Sequence, residues 1–121
     1  MKILLVDDEE MIADVGQRML NKLGYEVLVA RSGQEALSIY QNHIDSIDLV
    51  VLDMVLPEMS GAEIYDRLRQ MNPAAKVIIS SGYGLDKDMS EILSRGCSGF
   101  IQKPFNLRSL SETIQAVLNK T

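Results

Sequence analysis

Short apolar runs alternate with longer amphipathic stretches along the chain, and this alternation occurs five times. The short runs are rich in Val, Ile and Leu and do not alternate with polar residues, which is typical of strands buried on both faces of a parallel sheet. We therefore predict five strands, with their apolar residues at 3–6, 27–30, 49–52, 77–79 and 99–101.

The stretches between these runs carry apolar residues at spacings of three and four, which predicts amphipathic helices. Gly24 predicts a stop after the first helix, and Ser32 with Glu35 has the spacing of a capping box at the start of the second. The helices are predicted at about 11–23, from 32 through 40, at about 60–71, at about 87–95 and from about 106 through 118. Five successive βα units indicate an α/β fold in which helices cover both faces of a parallel sheet.

Composition favours one folded domain and excludes several classes of protein. The 121 residues are 46% hydrophobic and 24% charged, with a net charge of −5, and this acidic balance disfavours direct nucleic-acid binding. No apolar run approaches the ~20 residues of a membrane-spanning helix, so we expect no membrane contact. The single Cys97 cannot form an internal disulfide, which fits a reducing compartment and predicts a cytoplasmic location.

Polar residues follow four of the five predicted strands. In an open parallel sheet the functional site lies outside the carboxyl ends of the strands. Asp7 and Asp8 follow the first strand, Asp53 the third, Ser81 the fourth and Lys103 the fifth. The first and third strands are neighbours in the predicted fold, so three carboxylates would repel one another unless a hard cation such as Mg²⁺ joins them. Carboxylates, a metal ion, a lysine and a hydroxyl are the groups needed to hold a phosphoryl group in transfer.

Each of these residues also has a simpler interpretation. Adjacent aspartates after a strand often cap a helix, as Asp7 and Asp8 could. Asp53 could be a turn residue, Ser81 a loop cap and Lys103 a solvated lysine. Their joint placement at the ends of four strands is what favours a phosphoryl site over these separate roles.

Four separated motifs resemble those of the receiver domains of bacterial two-component response regulators. They occur in the family's order and span nearly the whole chain: LVDDE at 5–9, LDMVLPEMSG at 52–61, ISSG at 79–82 and GFIQKPF at 99–105. The resemblance implies a flavodoxin-like (βα)5 fold, a doubly wound five-stranded parallel sheet of strand order 2-1-3-4-5. It also implies that residues 1–121 are a single receiver domain.

The resemblance assigns the reacting groups. Asp53 would accept a phosphoryl group from a histidine kinase or a histidine phosphotransfer domain. Asp7, Asp8, Asp53 and the backbone carbonyl of Val55 would bind Mg²⁺. Lys103 would pair with Asp53 and afterwards with the phosphoryl oxygens.

The resemblance also implies a switch. Ser81 would hydrogen-bond the phosphoryl group, and Phe100 would follow it as an aromatic switch. The surface of the fourth helix, fifth strand and fifth helix would then change and meet an output partner or a second copy of the chain. Pro57, Gly61 and Pro104 would have structural roles, the peptide before Pro104 being cis.

The runs at 80–83 and 99–105 look most like those of receivers fused to sensor histidine kinases, so a stand-alone regulator and a hybrid-kinase module both stay open. Whether the parent chain is an enzyme is therefore open as well. The domain itself is expected to accept a phosphoryl group and to dephosphorylate itself, a reaction that Val55 and Tyr83 beside the attacking water would make slow.

Three other functions compete with a phosphoacceptor. A haloacid-dehalogenase-type phosphatase would need a second aspartate at position 55, where the chain has Val. A flavin carrier would need a phosphate-binding loop after the first strand, where the acidic run 7–10 would repel a phosphate. A pseudo-receiver would only bind a partner, and the complete set of site residues argues against it.

Overall fold

One parallel sheet forms the centre of the chain. A computed structural model describes residues 1–54, 56, 58–82, 92, 94, 96–103 and 105–119. The strands are β1 (Lys2–Val6), β2 (Glu26–Ala30), β3 (Ile47–Asp53), β4 (Val77–Ser81) and β5 (Gly99–Gln102). All neighbouring strands pair in parallel, and their order is β2-β1-β3-β4-β5. The predicted flavodoxin-like sheet and its strand order are confirmed.

Four helices are described within those ranges. They are α1 (Glu10–Lys22), α2 (Gly33–Asn42), α3 (Gly61–Met71) and α4 (Leu107–Leu118), and α4 is the fifth helix predicted from the sequence. Most of the predicted helix at about 87–95 lies outside the described residues, although Ile92 and Ser94 have helical backbone. Among the described helices, none has the length and apolar character needed to cross a membrane.

Polar side chains fix where these helices begin. The Ser32 and Ser60 hydroxyls each accept a backbone N–H three residues on, from Glu35 and Glu63. Asn106 forms a reciprocal capping box with Ser109 at the start of α4. Such caps satisfy backbone donors that a helix leaves unbonded in its first turn.

Each face of the sheet is buried in its own core. The α2/α3 core contains Leu4 and Val6 of β1, together with the apolar faces of α2 and α3. The α1/α4 core contains the intervening Ile3 and Leu5, together with Leu20 of α1 and the apolar face of α4. This division follows from the strand geometry, in which successive side chains point to opposite faces.

The strands extend further than their apolar runs. The ladder pairs Asp53 with Ser80, and Ser81 with Gln102, so these polar residues belong to the strands. The predicted ends of β3 and β4 are one and two residues too early because apolar character is their criterion. As a consequence, Asp53 and Ser81 are held by the sheet itself, whereas Asp7 and Lys103 directly follow β1 and β5.

Candidate functional site

Three carboxylates meet at the carboxyl edge of the sheet. Asp7 follows β1, Asp53 is the last residue of β3, and one oxygen from each of Asp7, Asp8 and Asp53 lies within 4.8 Å of the others. Asp7 and Asp53 are 2% and 4% exposed, whereas Asp8 is exposed. The cluster is therefore anchored in the sheet and open to solvent on the side of Asp8.

Lys103 brings a positive charge into this cluster. Its Nζ lies 2.6 Å from Oδ2 of Asp7 and 3.2 Å from Oδ2 of Asp53. The resemblance implies a pairing with Asp53, and the structure adds the shorter contact with Asp7. The ammonium thus bridges two nearly enclosed carboxylates that would otherwise repel each other.

The surroundings of Lys103 keep it charged. Burial lowers the pKa of its ammonium, but the hydrogen bond to Asp7 and the negative charges of Asp53 and Asp7 together outweigh burial. The net result is a pKa raised above that of an ordinary lysine. Lys103 is therefore a fixed cation at neutral pH.

Backbone hydrogen bonds fix the position of Asp7. Its own N–H donates to the carbonyl of Ala30 at 3.0 Å, which continues the pairing of β1 with β2. Its Oδ1 accepts the backbone N–H of Glu9 at 3.0 Å, just before α1 begins. This leaves Oδ2 for Lys103, so the two oxygens of Asp7 have separate tasks.

Gly61 holds the segment that follows Asp53. The N–H of Met54 donates to the carbonyl of Ser80 at 3.1 Å, and the N–H of Gly61 donates to the carbonyl of Met54 at 3.2 Å. A Cβ on Gly61 would lie 2.8 Å from the Met54 Cα, so no larger residue fits without movement. Close packing of α3 on Met54, the residue next to Asp53, therefore leaves no space for a side chain at position 61.

The two residues expected to act as a switch lie on neighbouring strands. Ser81 is buried at the end of β4, and its carbonyl accepts the backbone N–H of Lys103 at 2.7 Å. Phe100 of β5 is partly buried and packs against the α2/α3 core. The remaining site predictions, on Val55, Pro57, Tyr83 and Pro104, fall outside the described residues.

The donor set fits a hard divalent cation. Three carboxylates supply hard oxygen ligands, which Mg²⁺ prefers. Their three negative charges, offset by the one positive charge of Lys103, leave a charge of −2 for an ion to balance. A solvent-exposed Asp8 also leaves room for the water molecules that Mg²⁺ commonly retains.

Comparison with known proteins identifies the family. The sequence profile of the response regulator receiver domain matches residues 3–115. The chain belongs to the receiver domain family. Phosphoryl transfer to an aspartate is typical of this family, whose members bind Mg²⁺ at an acidic pocket and interact with histidine kinases or phosphotransfer proteins. This assignment decides against the phosphatase and the flavin carrier.

Individual relatives include both kinases and transcriptional regulators. The receiver is 39% identical over 118 residues to sensor kinase CckA of Brucella abortus, covering 98% of this chain and 12% of that protein. It is 34% identical over 121 residues to the transcriptional regulatory protein CpxR of Escherichia coli, covering 99% of this chain and 50% of that protein. The chain therefore spans about half the length of such a regulator and a small part of the kinase.

Solved structures agree with the fold. A response regulator receiver domain protein from Clostridium thermocellum superposes with a TM-score of 0.93 at 34% identity, covering 98% of this chain and 94% of that one. The described sheet and helices of this receiver therefore have the fold of a solved receiver domain.

Proposed function

We propose that this receiver domain is a phosphoacceptor in a two-component phosphorelay and that Asp53 takes the phosphoryl group from a phosphohistidine donor. The observation that carries the proposal is the placement of Asp53. Its carboxylate is nearly enclosed at the end of β3, shares a potential metal site with Asp7 and Asp8, and lies 3.2 Å from the Lys103 ammonium.

The carboxylates would hold Mg²⁺. Asp7, Asp8 and Asp53 offer side-chain oxygens, and the backbone carbonyl of Val55 would be the fourth protein ligand, as the resemblance implies. When bound, the metal supplies positive charge that screens the phosphoryl oxygens from the surrounding carboxylates.

The transfer requires little of the protein beyond positioning and charge. An oxygen of Asp53 attacks phosphorus, the P–N bond to the donor imidazole breaks, and that nitrogen keeps the bonding electron pair. The product is an acyl phosphate on Asp53. The Lys103 ammonium, already 3.2 Å from the attacking carboxylate of Asp53, moves its contacts to the phosphoryl oxygens and stabilises their charge.

The phosphoryl group would then act as a switch. It adds charge and strong acceptor oxygens, which the Ser81 hydroxyl turns toward. Phe100 follows Ser81, and the surface around β5, α4 and the preceding helical segment changes. An output partner or a second copy of the chain would recognise this changed surface.

Residues 1–121 would form one receiver module. Its likeness to CckA of Brucella abortus, a sensor kinase, favours a role in a hybrid kinase or a related relay, while its likeness to CpxR favours a regulator. In either setting the direct partner of Asp53 is a phosphohistidine-bearing protein.

Intact mass spectrometry tests this function. The chain is incubated with acetyl phosphate, with and without Mg²⁺, beside Asp53→Asn and the matched control Asp45→Asn, whose carboxylate is exposed before β3. We expect one added phosphoryl group on the wild type and on Asp45→Asn, only with Mg²⁺, and none on Asp53→Asn. A wild type that neither gains mass nor binds beryllofluoride would favour the pseudo-receiver.

A further inference from the structure

The Lys103 side chain crosses a neighbouring strand to reach the carboxylates. Lys103 directly follows β5, while its Nζ contacts Asp53 at the end of β3 and Asp7 beyond β1. The sheet order places β4 between β5 and β3. Since adjacent strands lie about 4.8 Å apart, the lysine stem must pass over β4.

The alternation of side chains along each strand identifies the residue of β4 that lies on the face the lysine crosses. The α1/α4 core contains one residue from each of β1, β3, β4 and β5, in that order Leu5, Val51, Ile78 and Ile101. Two residues further along, on the same face, come the site residues of the four strands, which are Asp7, Asp53, Ser80 and Lys103. Ser81 instead continues Val77 and Ile79 toward the α2/α3 core.

The strand register places Ser80 beside the phosphoacceptor. Ser80 pairs with Asp53 on one side and with Ile101 on the other, and Lys103 lies two residues beyond Ile101. Lys103 therefore starts beyond Ser80 along the strand direction and reaches back across it. The Ser80 side chain lies beneath the path of the lysine.

Ser80 carries a hydroxyl in a place where packing alone would suit an apolar residue. Ser80 is 2% exposed, and Ile78, two positions earlier on the same face of β4, belongs to the α1/α4 core. Within the described residues the Ser80 hydroxyl makes no hydrogen bond. Every fully enclosed side-chain oxygen of these residues has a hydrogen-bond partner, so the Ser80 oxygen keeps a small contact with solvent. The Ser80 hydroxyl is therefore available to accept a hydrogen bond from a neighbouring group whose hydrogen-bond partners change.

We propose that Ser80 is a positioning residue for Lys103, its hydroxyl accepting a hydrogen bond from the ammonium when the phosphoryl group is on Asp53. An ammonium has three N–H donors, and Asp7 and Asp53 account for two contacts before transfer. The Ser80 hydroxyl takes the donor that points back over β4 and so fixes the ammonium against the phosphoryl oxygens. This inference rests on the proposed role of Asp53.

The test measures the rate of phosphorylation by acetyl phosphate with Mg²⁺ for a set of Ser80 variants. We expect Ser80→Ala to lower the second-order rate constant about tenfold, the usual effect of one hydrogen bond to a charged group. Ser80→Cys should be as slow, since it keeps the size but accepts poorly, and Ser80→Thr should keep the wild-type rate. Ser98→Ala is the matched control, because its hydroxyl accepts the Val77 N–H at the other end of β4.

Two further readouts separate positioning from a structural role. The melting temperature of Ser80→Ala should equal or exceed that of the wild type, and its affinity for beryllofluoride, followed by fluorine NMR, should fall about as much as the rate. In a Lys103→Ala background, Ser80→Ala should change neither rate nor affinity further, because the hydroxyl acts through the ammonium.

Several results would overturn the inference. An unchanged rate in Ser80→Ala, a fast Ser80→Cys, or an equal loss in the Lys103→Ala background would each remove the proposed link between hydroxyl and ammonium. A wild type that takes no phosphoryl group on Asp53 would instead overturn the proposed function, and this inference with it.

Discussion

Replacing Lys103 by Met would remove the only cation that contacts Asp7 and Asp53 among the described residues while keeping the length of the side chain. All three groups are nearly enclosed, the side chains being 11%, 3% and 6% exposed. Removing one partner of a buried ion pair typically costs about 3–5 kcal/mol, because the remaining charge stays buried without compensation. Here two carboxylates would be left facing each other.

The expected change in melting temperature follows from the size of the chain. An unfolding entropy of about 2.1 cal/mol/K per residue gives about 0.25 kcal/mol/K for a chain of this length. A loss of about 3 kcal/mol then lowers the melting temperature by about 12 °C. Differential scanning calorimetry in metal-free buffer measures it.

Lys2→Met is the matched control. The Lys2 Nζ lies 4.0 Å from Oε2 of Glu26, whose side chain is 79% exposed. An exposed pair of this kind is worth about 1 kcal/mol or less, or at most about 4 °C here. The same chemical substitution should therefore have a several-fold smaller effect at Lys2 than at Lys103.

Mg²⁺ should distinguish the cause of the loss. Without the Lys103 ammonium the carboxylate cluster binds the ion more tightly, so Mg²⁺ should raise the melting temperature of Lys103→Met more than that of the wild type. Adding Asp7→Asn to Lys103→Met should restore part of the lost stability by removing one of the facing charges. Equal, small losses for Lys2→Met and Lys103→Met would show that the ammonium does not offset the charges of Asp7 and Asp53, and a smaller response of Lys103→Met to Mg²⁺ would show the same.

Three other outcomes are expected. Because the pKa of Lys103 is raised, its stabilising contribution is complete below the ordinary lysine value near pH ~10 and is lost only at more alkaline pH. The free energies of unfolding of wild type and Lys103→Met, measured with denaturant, should therefore differ by a constant amount from neutral pH to about pH 10. A difference that vanishes below about pH 9 would be inconsistent with that raised pKa. Gly61→Ala should lower the free energy of unfolding by about 1–3 kcal/mol and slow labelling by acetyl phosphate, since its Cβ would lie 2.8 Å from the Met54 Cα. Gly82→Ala is the control, and it should change neither quantity because its Cβ meets nothing within 4 Å. Equal melting temperatures and labelling rates for the two alanine variants would argue against close packing as the cause. Burial raises the pKa of the Cys97 thiol, so a disulfide reagent at pH ~8 should label the native chain far more slowly than the unfolded chain, and similar rates would show that the thiol is accessible.

The fold can be predicted from the sequence because its signals are strong and mutually consistent. Apolar runs with no polar alternation mark every strand, and Gly24 and Ser32 mark helix boundaries that the structure has. The location of the site follows from one rule, that parallel sheets place function at their carboxyl ends. Sequence position and this rule together are enough to bring Asp7, Asp53 and Lys103 to the same edge of the sheet.

Contacts that depend on how far a side chain extends, or on how neighbouring strands are aligned, cannot be predicted in the same way. The contact between Lys103 and Asp7 spans most of the sheet, and no local pattern shows how far a flexible lysine extends. Ser80 is easily overlooked beside Ser81 because the two hydroxyls are adjacent in the sequence. Their separation onto opposite faces follows from alternation, which is the signal available for finding Ser80.

Mapping the phosphorylated residue tests whether Asp53 is the phosphoacceptor. The chain is labelled with acetyl phosphate and Mg²⁺, the acyl phosphate is reduced with borohydride to homoserine, and the modified position is located by tandem mass spectrometry. We expect homoserine at position 53 and nowhere else. Homoserine at Asp7, at Asp8 or at another carboxylate would contradict it.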